Sequence, residues 1–458
     1  MDIPFLTNET YDAHYPVNMY FHPEGWNGKP ALIPTDGLLL WRDIGKYAEV
    51  RSMYQFSATV MYAIVGDKVY KVTEGGQTEL SGALGTSTGI VHPVDDGVHI
   101  MFVDGLDGWY IVDETLTQIT DADFVDPIYT AYMDGFFLVI QARSDYIWKS
   151  ALRDPSSWDG LDNTAAERFP DKALAMVQDH TELPVFGEKT VEFFYNSGDA
   201  VFPLTRKPGY FVEQGIGAPH SLVKLDQSLF WLADDWTVRR MVEYTPVIIS
   251  KPDLNTRISK YLVKSDAIAF GYTKSGNAFY VITFPTENVT WQYNAATQQW
   301  NQLAYSTNLS RHRANCYCYF LGKHLVGDYA NGKIYELDYS IFSDDSEIIV
   351  RKRVVPQVFG KDRENLFFNS LELVFKPGVG LVDGQGSDPQ SMLRWSDDGL
   401  RTFSNEHWEG VGKIGEYTDR SRWQAMGMAR ERIFEWSATD PVEWVITNAN
   451  LNVTAGRP

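Results

Sequence analysis

Read for its apolar and polar positions, the chain repeats one short motif along most of its length. An apolar or aromatic run meets a tight polar turn, and a second alternating run follows. Copies occupy residues 60–72, 98–112, 135–148, 183–194, 228–239, 278–293 and 324–337. Alternation with a period of two places one face of each run inward, the pattern of half-buried strands. The turns carry Gly66-Asp67, Asp104-Gly105, Ser144-Asp145 and Asn331-Gly332, residue types that reach positive φ, so each copy predicts a β-hairpin. From Val69 to Ile334 the copies are spaced by about 44 residues, close to a four-stranded propeller blade of roughly 40–50. The pattern therefore predicts an all-β chain with a six- or seven-bladed β-propeller over residues 45–342. Closure into a ring would also leave few exposed sheet edges.

The flanks read differently. Residues 1–44 are irregular and carry Pro16, Pro23, Pro30 and Pro34, which predicts an extended N-terminal arm. After residue 343 the alternating runs lengthen, with strand candidates at 348–359, 370–375, 392–395, 423–436 and 443–453 and a Gly-rich loop at 377–389. This segment, 343–458, is predicted as a C-terminal β-sandwich domain. The stretch 159–174 is the one place where a short turn of helix is expected.

Composition supports a large packed core, because the 458 residues include 14 Trp, 25 Tyr and 25 Phe. The formal net charge is −20, and such a surface repels phosphate, which argues against a broad grip on nucleic acid. The acidity is uneven. Residues 343–458 carry −4 and the first 342 residues −16. No apolar run is long enough for a membrane span, and Met1-Asp2-Ile3-Pro4 does not begin a signal peptide, so a soluble protein made in a cytoplasm is expected. Cys316 and Cys318 stand two apart on a strand, too far for a bridge and too few for a zinc site, and are expected as buried thiols.

Catalytic templates are missing: there is no His-Glu-x-x-His, no Walker loop, no Gly-x-Ser-x-Gly and no dinucleotide fingerprint. No catalytic residue, metal ligand or cofactor is predicted. His312, between Arg311 and Arg313, reads as part of a solvated basic turn. The pairs Asp95-Asp96, Asp234-Asp235, Asp344-Asp345 and Asp397-Asp398 could do acid–base work, but all fall where turns are expected and Asp caps its own turn. The segment Trp395–Phe403 resembles the Asp box of sialidases and other propellers, Ser-x-Asp-x-Gly-x-Thr-Trp. Ser396, Asp398, Thr402 and Phe403 match it, while Leu400 stands at the glycine. The resemblance implies a structural turn held by Asp398.

Three stretches carry a wider resemblance. They are Tyr15-Pro-Val-Asn-Met19; Val191–Gly198 with Val212–Ser221 and Leu229–Leu232; and Trp395–Gly399 through Trp408, Gly412–Tyr417, Arg422-Trp423, Gly427, Arg430, Arg432–Phe434 and Asp440-Pro441. In these the chain resembles the packaged DNA stabilization, or tail hub (nozzle-like), proteins of short-tailed bacteriophages. Gln424-Ala425, like Leu400, departs from that pattern. The resemblance implies a non-enzymatic component of the virion tail, assembled in the cytoplasm of the bacterial host. It implies a homohexameric ring below the portal adaptor that extends the DNA channel and retains the packaged DNA. Its other implied partners are a tail needle or plug, tailspikes or fibres, and passing double-stranded DNA bound without sequence specificity.

Within that reading, Tyr417, Arg420, Arg422, Trp423, Arg430 and Arg432 form the candidate subunit and adaptor interface. Arg, Trp and Tyr concentrate there, as they do in binding hot spots, and the local charge is nearly balanced. The arm before residue 45 is expected to join them. The plainer alternative for each residue is a core aromatic or a solvated arginine. Two other classes stay open: a glycan-binding or glycan-degrading propeller, and a host scaffold that binds proteins.

Overall fold

The computed structural model describes residues 15–166, 171–199, 202–360 and 364–456. They form two compact units. One comprises residues 40–287 with 313–336; the other comprises the N-terminal residues to 39, 288–312 and 337–458.

The first unit is a β-propeller with seven innermost strands: Val50–Gln55, His92–Asp95, Pro127–Met133, Ala173–Met176, Val223–Leu225, Ile268–Lys274 and Ala314–Phe320. Each is followed by antiparallel neighbours in chain order, as in the blade Val50–Gln55, Met61–Val65, Lys68–Thr73, Gly76–Glu79. The ring closes where the seventh inner strand meets the first. There Asn315 Nδ2 donates to Val50 O at 3.0 Å, and Cys318 and Phe320 share a core with Val50 and Met53. Both cysteines are free, and burial pushes the Cys318 thiol up to about 12, so these thiols are inert packing groups. Blade-to-blade cores repeat the predicted alternation: Ile64 and Val69 pack on Ile100 and Phe102, and Met101 and Val103 pack on Phe137 and Val139.

Two local expectations differ from the structure. Residues 159–165, expected to start a helical turn, belong to the strand Asp154–Ala165; residues 167–170 lie outside the described residues. An α-helix occurs instead at Pro252–Ser259. Its signals are a proline in the first turn, Asp253 beside it, and Leu254 and Ile258 spaced four apart and both buried.

The second unit is built on a two-sheet β-sandwich. One sheet runs Met19–Trp26, Lys29–Pro34, Ile446–Ala455, Leu366–Phe375 and Ser421–Gln424; the other runs Arg351–Val354, Glu431–Ala438, Gln390–Ser396 and His407–Gly410. Leu371, Leu373, Leu393, Phe434, Trp436, Trp444 and Ile446 fill the core between them. The 423–436 candidate is cut into three strands because Ala425 and Gly427 take positive φ of 53° and 79°.

Part of the segment expected as an extended arm belongs to this sandwich, while Gly37–Asp43 joins the sheet that holds Ala314–Phe320. Residues 19–34 form a hairpin whose second strand pairs with the last strand of the chain, Leu32 opposite Ile446. Met19 and Leu32 are fully buried in the sandwich core. Just before the hairpin, Val17 bridges to both Gln302 and Lys352, and the Tyr15 ring meets Trp291 edge-on at 5.2 Å. These contacts group the hairpin Val289–Asn294 and Gln299–Tyr305 with the second unit, while in strand order it continues the sheet begun by Ile268–Lys274 and Asn277–Phe284, as the propeller rhythm of its sequence predicts. The first 14 residues of the expected arm lie outside the described residues.

Candidate functional site

The Asp-box-like turn follows the strand Gln390–Ser396. Asp398 Oδ1 accepts the N–H groups of Arg401 (3.0 Å) and Thr402 (2.9 Å), and its Oδ2 accepts the Thr402 hydroxyl at 2.6 Å. The Ser396 hydroxyl donates to Asp398 Oδ1 at 2.8 Å and accepts the Leu400 N–H at 2.9 Å. The Thr402 hydroxyl, with backbone donors behind it, holds the Asp398 carboxyl well below the usual carboxylate range. Gly399 and Leu400 have φ of 73° and 70°, so the leucine adopts the left-handed conformation that a glycine would take at less cost. Phe403 lies under the Arg394 guanidinium at 4.2 Å.

Asp397 has a separate role. It takes a bidentate pair from Arg432, Nε–Oδ1 2.6 Å and Nη2–Oδ2 2.8 Å. Arg432 is 2% exposed, donates a third bond to Met426 O at 2.6 Å, and lies 4.3 Å from the Phe368 ring and 5.0 Å from that of Trp395. Charge-assisted bonds and aromatic faces together compensate a guanidinium removed from water. Asp96 and Asp235 similarly cap their own turns, through the N–H groups of Val98 and His99 and of Thr237.

Of the six interface candidates, four are at the surface and two are not. Tyr417 is 67% exposed and lies against Gly378, where a Cβ would come within 2.5 Å of the ring. Arg420 is exposed and reaches Glu372 at 3.1 Å, and Arg422 and Arg430 are exposed. Trp423 is 4% exposed in the sandwich core, its indole N–H donating to His407 O at 2.9 Å; Arg432 is the buried hub of the Asp397 pair. Strand parity was the available signal for Trp423. In Ser421–Gln424 burial alternates, so Arg422 and Trp423 point to opposite faces. His312, expected in a solvated turn, is 5% exposed, with its N–H on the Thr290 hydroxyl at 3.1 Å.

A concave site that sequence reasoning missed lies on the propeller axis. The innermost strands of the first four blades enclose a cavity of about 340 Å³ lined by Tyr54, His92, Asp95, Tyr129, Tyr132 and Gln178. The connection between the fourth and fifth blades brings His220 across the centre, with His92 Nε2 2.8 Å from His220 Nδ1. His92 stacks on Tyr129, ring centres 4.0 Å apart. Desolvation lowers both imidazoles, His220 to about 4 and His92 well below its ordinary value, so the pair is neutral at pH 7. Among the described residues no group of three or more His, Cys, Asp or Glu could hold a metal ion.

Two family descriptions match in succession: "Bacteriophage P22 Gp10, beta-propeller" over residues 5–342 and "Bacteriophage P22 Gp10, beta-sandwich" over 353–454. No curated protein matches the chain in sequence. Among solved structures, the chain is similar to the computationally designed Ika8 protein (12% identity, 66% of this chain and 99% of that one, TM-score 0.41). PorZ of Porphyromonas gingivalis is similar at 9% identity over 65% of this chain and 38% of its own, TM-score 0.40. The extracellular domain of the hybrid two-component system BT4673 of B. thetaiotaomicron is similar at 8% identity over 81% and 47%, TM-score 0.47.

Proposed function

The chain belongs to the bacteriophage P22 Gp10 family, and we propose from that membership that it builds the nozzle of a short-tailed phage tail. It is a phage structural protein of the DNA-stabilising type, with the propeller and sandwich that the family descriptions name. The finer role is a homohexameric ring below the portal adaptor, which extends the DNA channel, retains packaged DNA, and carries a needle or plug and spikes or fibres. The ring forms in the host cytoplasm and acts without catalysis. The observation that carries this reading is the match of both domains in order across most of the chain.

Physical features support it. A net charge of −20 suits a conduit wall along which DNA slides, since each basic contact would add a salt-dependent attraction. Tyr417, Arg420, Arg422 and Arg430 remain on the sandwich surface as contact residues for a neighbouring copy or the adaptor. A glycosidase reading is weaker, because the axial cavity presents one carboxylate, Asp95, where glycoside hydrolysis uses two. Electron microscopy of the purified full chain tests the proposal, with a six-fold annulus expected that also restores tail-less particles. Arg420→Glu with Arg422→Glu should abolish the annulus while leaving the melting temperature unchanged. A protein that stays monomeric and does not bind such particles would overturn it.

A further inference from the structure

We propose that the axial cavity of the propeller binds a saccharide unit, a function independent of ring assembly. The Tyr129 side chain, 6% exposed, lines the cavity, and its hydroxyl has no hydrogen-bond partner among the described residues. The hydroxyl opens on the cavity, so a ligand oxygen there can take the hydrogen bond that no protein group takes. Burial pushes the phenol well above its ordinary value, so it remains a neutral donor.

The rest of the lining fits the same ligand. Asp95 Oδ1 accepts the Gly97 N–H at 2.7 Å and its Oδ2 accepts the Tyr54 hydroxyl, and each oxygen retains a lone pair for a ligand O–H. The Gln178 amide nitrogen donates to His180 O at 3.3 Å, which leaves its carbonyl oxygen as an acceptor. Tyr54 and Tyr132 add half-buried aromatic surface, able to cover the C–H face of a sugar ring. Burial, with His220 beside it, keeps His92 neutral, so Asp95 is the one charge in the lining. An anion would be repelled by that charge, and a cation would meet a carboxylate already engaged by two donors. A neutral polyol uses the free donor, the acceptors and the aromatic surface together. At about 340 Å³ the cavity is at the small end of ligand sites, which run from roughly 300 to 1,000 Å³, and admits one or two sugar rings. Binding without hydrolysis follows from the single carboxylate.

The ligand could be a free sugar or the terminal unit of a longer glycan. Saturation-transfer NMR on the full chain separates the two, with methyl glycosides of glucose, galactose, N-acetylglucosamine and rhamnose in one arm and oligosaccharides ending in the same units in the other. Transfer to at least one sugar is expected; transfer confined to the oligosaccharides would identify the chain end as the ligand. Tyr129→Phe and Asp95→Asn should each weaken binding about two- to tenfold, the loss expected for one hydrogen bond. Tyr129→Phe should melt at about the wild-type temperature, because it removes no hydrogen bond within the protein. Silence in both arms, binding undiminished in both variants, or binding of choline in place of the sugars would overturn the proposal.

Discussion

Replacing Asn18 should damage the sandwich unit more than any surface substitution. Asn18 is 2% exposed and has a φ of 54°. Its Nδ2 donates to Ala304 O at 2.8 Å and to Val350 O at 2.9 Å, and its Oδ1 accepts the Ala304 N–H at 2.8 Å. One amide therefore ties the N-terminal segment to the strand Gln299–Tyr305 and to the entry of Arg351–Val354. Asn18→Ala leaves one donor and two acceptors in or near the interior without partners. At about 1–3 kcal/mol for each unsatisfied group, and with incomplete additivity, the loss should total about 3–5 kcal/mol. The left-handed backbone adds about 1 kcal/mol for alanine but nothing for glycine. Asn18→Gly should therefore be the milder variant by about that amount, yet still strongly destabilised. Calorimetry of the full chain reads this as a several-degree fall in one transition for both variants. An Asn18→Gly protein that melts like wild type would refute the hydrogen-bond argument; equal losses in both variants would refute the backbone part.

Three further outcomes follow from the site geometry. Asp398→Ala should lower the melting temperature by freeing the Arg401 and Thr402 N–H groups; because the folded carboxyl lies below its unfolded value of about 3.9, this contribution is present above that pH and is lost as pH falls, so the wild-type advantage over the variant should shrink in acid melts. His92 and His220 are depressed below the unfolded value of about 6.5, so the unfolded chain binds more protons and propeller stability should fall as pH drops from 6.5 toward 4. A His92→Gln, His220→Gln double variant should flatten that dependence, and an unchanged slope would remove the pair as its cause. Asp397→Ala leaves Arg432 buried and unpaired and should cost about 3 kcal/mol in urea unfolding, while Asp397→Glu should recover part of it.

Much of the architecture was legible because strand periodicity is local. Val69 and Tyr70 alternate around a turn whose chemistry is visible in Gly66-Asp67, and the blade spacing repeats that signal seven times. The helix Pro252–Ser259 was missed because two apolar positions in eight residues are a weak periodic signal beside long strands. The axial cavity could not be read at all. Tyr54, His92, Asp95 and Tyr129 come from three separate blades, and His220 reaches them from the connection into the fifth, so nothing in local sequence marks their convergence.

The interface residues show where composition misleads. Arg422 and Trp423 are adjacent in sequence and were grouped by residue type, yet a strand sends neighbours to opposite faces. Trp423 fills the core and Arg422 is left for solvent or a partner. The same logic revises the role of the N-terminal segment. Tyr15, Val17, Asn18 and Met19 are all at least nine-tenths buried, so a deletion through residue 30 removes part of the sandwich core and the Asn18 bonds together. Such a truncation should unfold the sandwich unit, and a loss of ring formation in it would report misfolding. Arg420→Glu with Arg422→Glu tests the contact surface without that confusion, because both side chains are exposed and the deeper one in charge terms, Arg432, keeps its pair with Asp397. If the truncated chain retained the wild-type sandwich transition while the double arginine variant lost it, the assignment of core and surface in this unit would be reversed.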